Sequence, residues 1–135
     1  MLKGREWYQV EGASVAAIAQ LKAVAPVRLP ESYFSLLSFS NGGEGPLAVR
    51  PLRLCLYPAE EVAGIEQAGT FREFFPNLFV IGGNGGGAAV AFDLRAGEPY
   101  PLVEFDMTNI VLAESVRQIA PSFDAALELI GRDAS

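Results

Sequence analysis

The chain has 135 residues, half of them apolar and a fifth charged, which fits one domain able to bury a core without disulfides or metals. It has no histidine, and that excludes Ser-His-Asp and Cys-His catalysis, histidine-ligated zinc and a histidine pH switch together. The net charge of −6 is unevenly placed: residues 1–53 carry six basic and four acidic groups, residues 54–135 four basic and twelve acidic. Such a chain repels nucleic acid and anionic lipid, and either attracts a basic protein or is merely kept in solution by its charge. No apolar run approaches the roughly 20 residues of a membrane span, and no signal-peptide pattern follows Lys3 and Arg5, so a soluble cytoplasmic product is expected. Cys55 is the single cysteine; within Leu52–Tyr57 it reads as a buried, inert thiol on a strand.

In chain order, Trp7 and Tyr8 are expected to pack at the core or an edge. Ser14 caps a first helix in which Ala17, Ile18, Leu21, Val24 and Ala25 recur at helical spacing, and Pro26 ends it. A second helix spans about 30–40, opened by Pro30, with Tyr33, Leu36 and Leu37 facing inward and Asn41-Gly42-Gly43 as its stop. Gly42–Pro46 reads as a turn, followed by an alternating strand through Leu52, Leu54 and Leu56. Pro58 starts a third helix whose Glu60 and Glu61 suit the positive end of its dipole, with Gly69 interrupting it. Phe71, Phe74 and Phe75 are expected to pack in the core.

Leu78–Ile81 and Ala88–Leu94 read as a central hairpin closed by a glycine-rich turn in which Gly86 and Gly87 are scaffold positions. The turn contains a Gly-x-Gly-x-x-Ala match at Gly83, Gly85 and Ala88, but a dinucleotide fingerprint must open a helix, and a strand is expected there instead. After the Glu98-Pro99 turn, Val103 and Phe105 are expected on one strand face, and Leu102, Glu104 and Asp106 on another that is wet or meets a partner. Ser122 caps a closing helix with a Phe123, Ala126, Leu127 and Ile130 stripe and Gly131 beyond it. Helices first, strands in the middle and a closing helix predict a single α+β domain over residues 1–135. It would be built on one mostly antiparallel or mixed sheet with helices packed around it.

The ordered residues Leu29-Pro30, Tyr33, Leu36-Leu37 and Asn41-Gly42-Gly43 resemble the signature of the SUKH superfamily. So do the features that follow: a strand at Leu52–Tyr57, a Pro-x-Glu-Glu helix at Pro58–Glu61, and an apolar strand into glycines at Leu78–Gly87. A strand ending in Asp93 and a late Ser-Phe helix from Ser122 complete the set. The resemblance covers roughly residues 12–131 and departs from the family pattern in the long Gly82–Gly87 run and the Ala-rich first helix.

The resemblance implies a non-catalytic protein-binding module. In bacteria such a module is mostly an immunity protein that neutralises a cognate toxin, many of them nucleases; elsewhere it is a regulatory scaffold. Neither cofactor nor metal is implied. The residues themselves, being acidic and expected on the surface, make Glu44, Glu60, Glu61, Glu104 and Asp106 the candidate partner contacts, with Asn41, Gly42, Gly43, Gly86 and Gly87 as structural turns. The Glu104/Asp106 pair also leaves open a carboxylate-catalysed or metal site, and the glycine loop a nucleotide site, as lower alternatives.

Overall fold

A computed structural model describes residues 1–134. Six strands form one open antiparallel sheet in chain order: β1 (Gly43–Pro46), β2 (Arg53–Leu56), β3 (Leu78–Gly83), β4 (Ala88–Asp93), β5 (Leu102–Asp106) and β6 (Val116–Ala120). Five helices accompany them: α1 (Val15–Val24), α2 (Glu31–Phe39), α3 (Ala59–Ala68), α4 (Leu112–Ser115) and α5 (Phe123–Leu127). The α+β expectation holds, and every strand pairing is antiparallel.

Alternation along the strands sends side chains to two different cores. On one face Leu54, Leu56, Phe79, Ile81, Val90, Phe92 and Leu102 meet the inward stripes of α1, α2, α3 and α5. Tyr33 of α2 stands at the centre of an aromatic group, edge-on to both Phe92 and Phe123. Its buried hydroxyl finds no hydrogen-bond partner among the described residues, and burial pushes its pKa far above the ordinary phenol value. On the other face Val80, Ala91, Val103 and Phe105 meet Phe75, with Phe71, Leu112 and Val116 packed around them.

The caps read from sequence are present. Ser14 Oγ accepts from Ala17 N at 3.0 Å and Ser122 Oγ from Ala125 N at 3.1 Å, each satisfying an otherwise orphaned amide of the first turn. Gly69 closes α3 in the left-handed conformation. The β3–β4 hairpin also forms as expected, with Asn84 Oδ1 accepting from Gly86 N and Ala88 N across its turn. The left-handed residue in that turn is Gly85; a Cβ on Gly87 would meet nothing within 4 Å.

Several expectations are corrected by the structure. Gly43–Pro46 is not a turn but the edge strand β1. Its glycines serve a different need: an added Cβ would stand 2.4 Å from Tyr8 O at Gly43 and 2.5 Å from Glu6 O at Gly45. The N-terminal segment crosses this strand as a strap, so its backbone requires hydrogen, not methyl, beneath it. Tyr8 N donates to Glu44 O and Glu6 N to Gly131 O, while the Arg5 guanidinium donates to the carbonyls of Leu127 and Ile130 at the end of α5.

Leu52 lies outside the strand, 53% exposed with φ +73°. Phe74 is likewise exposed rather than in the core. On β5, Leu102 is fully buried, so the face it shares with Glu104 and Asp106 is wet only toward its far end. The sequence reading also left α4 and β6 unassigned.

Candidate functional site

The five acidic residues singled out from sequence fall in two groups, and the difference between them is what their side chains already hold. The first group surrounds β1, β2 and the start of α3. Glu44 Oε2 takes the Arg53 guanidinium at 2.7 Å and, more weakly, the Cys55 thiol at 3.5 Å. Arg53 holds the Glu44 carboxyl below its usual range, and burial followed by Glu44 pushes the Cys55 thiol up, away from the reactive thiolate.

Asn41 has a role that the sequence reading missed. The cap of α2 is Ser40, and the Asn41 side chain turns instead to the next helix. Its Oδ1 accepts from Ala59 N at 2.8 Å, and its Nδ2 donates to Glu60 Oε1 at 2.8 Å. Asn41 therefore caps α3 from 18 residues upstream and holds the Glu60 carboxyl low in pKa. Pro58 precedes α3 and lacks a side-chain acceptor, which is why a cap has to come from elsewhere. Of this first group only Glu61 makes no hydrogen bond or ion pair among the described residues.

The second group lies where the sheet runs out from under its helices. Cα pairing sets Leu56, Gly82, Val90, Glu104 and Arg117 in one row across five strands. Leu56 and Val90 belong to the helix-covered core, so Glu104 and Arg117 share that face at its uncovered margin. Three connections converge there: Arg50 from β1–β2, Asn84 and Gly87 from β3–β4, and Asn109 and Glu114 from β5–β6. They enclose an open, polar recess of about 550 Å³ floored by Ala88, Glu104 and Asp106.

Within the recess, Asp106 Oδ1 accepts from Thr108 N and Oγ1, which lowers its pKa and leaves Oδ2 unused. Ser115 locks the floor: Asp106 N donates to its hydroxyl at 2.9 Å, and that hydroxyl donates to Asp106 O at 3.0 Å. Glu104, Arg117 and Arg50 have no side-chain hydrogen bond and no ion pair among the described residues, and Glu114 has only the Asn109 amide at 3.3 Å.

No group of three or more His, Cys, Asp or Glu side chains among the described residues is arranged to hold a metal. The Gly82–Gly87 run leads into the strand β4, not a helix, so it does not supply the amide ring that a pyrophosphate needs. A smaller cavity of about 190 Å³ sits at the opposite end of the sheet beneath residues 69–77, where Phe71, Phe75 and Leu78 line it. Its charged neighbours Glu66 and Arg72 lie 3.6 Å apart and pair with each other.

An open antiparallel sheet, with most of its helices on one face and a loop-built polar recess at one end, defines an α+β domain. The model of the SMI1 / KNR4 family (SUKH-1) matches residues 12–129, and the chain belongs to that family. The family consists of immunity and regulatory interaction modules and is generally non-catalytic. No curated protein matches the chain. No helix among the described residues is long and apolar enough to cross a membrane.

Proposed function

We propose that this chain is an immunity-type module of the cytoplasm, a non-catalytic protein that neutralises a cognate toxin, such as a basic nuclease domain, by one-to-one binding. The observation that carries the reading is a charge distribution of −8 over residues 54–135 within a chain of the SMI1 / KNR4 family. Long-range attraction of that sign speeds the encounter with a basic surface, and burial of a contact patch then sets the lifetime of the complex. The contacts assigned to the partner are Glu44, Glu60, Glu61, Glu104 and Asp106. Glu44 and Glu60 would act through the carboxylate oxygens not held by Arg53 and Asn41.

The test starts from a tagged pull-down in the native organism at low and moderate salt, followed by co-expression of each retained protein with and without this chain. A toxin domain that arrests growth alone and is silenced by the chain, with binding that weakens as salt rises, is the expected result. Retention of housekeeping proteins without any protection replaces this reading with that of a regulatory scaffold.

A further inference from the structure

We propose that the recess formed by the three converging loops is the docking face of this module, and that it receives a basic side chain, Lys or Arg, flanked by apolar residues on the partner protein. The inference rests on the protein-binding reading and assigns the place and the chemistry of the contact.

Three independent observations converge on this end of the sheet. The first is charge without an internal use. Elsewhere Glu31, Glu44, Glu66 and Asp93 each have a basic partner, and Glu60 has Asn41. Among the described residues Glu104 makes no hydrogen bond or ion pair, even with Arg117 directly opposite it on β6, and Glu114 has one long amide contact. A carboxylate set into a half-covered recess with no partner gives up part of its hydration for nothing in the free protein, and a cation delivered by a second molecule would restore it.

The second observation is apolar surface in the same place. Of the eight large apolar side chains exposed among the described residues, Val49 and Leu52 lie on the β1–β2 connection and Ile110 and Val111 on the β5–α4 connection. These are the two connections that also send Arg50 and Asn109 into the recess. Leu52 is held at φ +73°, a conformation unfavourable for a non-glycine residue, and its side chain is turned to solvent. Apolar residues beside partly desolvated charge are the arrangement that concentrates binding energy at protein interfaces.

The third is access. The β3–β4 connection brings no side chain larger than the hydrogens of Gly85–Gly87, and Asn84 is turned inward onto Gly86 N and Ala88 N. An approaching backbone therefore meets no obstruction on that side.

The sign of the occupant follows from the count of charges in the recess, three carboxylates against two guanidinium groups, and from the −8 of residues 54–135. Arg50 and Arg117 then act as the selective element: they repel a basic residue that arrives out of register, so the recess accepts one placement and rejects its neighbours.

The probe for the test is acetyl-Leu-Lys-Leu-amide, with acetyl-Leu-Glu-Leu-amide as its control, titrated into the ¹⁵N-labelled full chain and followed by amide chemical shifts. A ligand with so few contacts binds in the millimolar range, so the titration runs to about 20 mM at low salt. The expected result is a saturable shift confined to residues 49–53, 84–87 and 104–117 with the lysine peptide and none there with the glutamate peptide. Glu104→Gln combined with Glu114→Gln weakens binding about threefold or more, and Arg117→Gln strengthens it, as partly exposed charges dictate. Unshifted amides at the opposite end of the sheet show that the variants remain folded.

Absence of a saturable shift, shifts located elsewhere, or indifference to both substitutions overturns the docking assignment. The outcome is separable from toxin neutralisation. A chain that protects cells but shows no shift at this end docks elsewhere, which overturns the present proposal. A chain that binds the lysine peptide here without protecting cells keeps its docking face and loses only the immunity reading.

Discussion

The corner that carries the family signature and the loop end that carries the recess contain the same kinds of residue, Asn, Gly, Glu and Arg, in opposite states. At the corner the polar groups other than Glu61 have an intramolecular use: Asn41 caps α3, Glu44 holds Arg53, and Gly43 and Gly45 admit the strap. In the recess Glu104, Arg50 and Arg117 have no hydrogen-bond or ion-pair partner among the described residues, and apolar side chains stand exposed around them. A recognisable motif is thus a description of the frame.

That contrast is breakable by experiment. The largest effect is expected at β1: Gly43→Val forces a side chain at φ +99° into the strap carbonyl 2.4 Å away and should cost more than about 3 kcal/mol or abolish folding. Gly87→Val, with nothing within 4 Å, should cost less than about 1 kcal/mol in the same urea titration. Equal losses at the two sites would remove the strap explanation. Next, Asn41→Ala should lower stability by about 1–2 kcal/mol, the value of a lost helix cap, and amide exchange should quicken at Ala59. Slower exchange or an unchanged midpoint would show that α3 is capped by other means.

A smaller effect is expected at Asp93, which accepts from Arg95 Nε and Nη2 at 2.9 Å and is nearly buried. Its carboxyl pKa is lowered first by that pairing. A depressed folded-state pKa means stability that is full above the ordinary carboxylate range and lost as pH falls through the folded value. Asp93→Asn should therefore cost about 1 kcal/mol at pH 7, discounted because Arg95 is 38% exposed, and the gap from the parent chain should close on acidification. A gap that widens instead would reverse the assignment. The smallest effect belongs to the recess: Glu104→Gln should leave stability within about 0.5 kcal/mol of the parent chain, since the side chain makes no hydrogen bond or ion pair among the described residues. A substantial loss would mean that Glu104 is part of the frame after all.

Much of the frame was legible in the residues because local rules write it. Ser14 and Ser122 cap helices that begin one residue later, Gly69 ends α3, and Leu78–Ile81 with Ala88–Leu94 forms the expected hairpin. The errors lie where a distant segment decides. Gly42–Pro46 reads as a turn when considered alone, and becomes a strand because Tyr8, Leu54 and Leu56 pair with it. Asn41 reads as the stop of the helix before it, and caps the helix after it. The candidate acids were chosen by charge and expected exposure, neither of which reveals that Glu44 and Glu60 are engaged while Glu104 is not. Arg50, Glu114 and Arg117 were passed over because no local pattern places them beside Glu104.

What the sequence by itself determined is the α+β class, most helix and strand positions, the apolar stripes and the family. These depend on backbone geometry and side-chain periodicity within a few residues. Only the tertiary structure decided that all six strands run antiparallel in chain order, that β1 is built of glycines to admit the N-terminal strap, and that three connections from different parts of the chain meet around Glu104. Those are matters of approach between segments tens of residues apart, set by the packing of the whole core, and no local rule contains them.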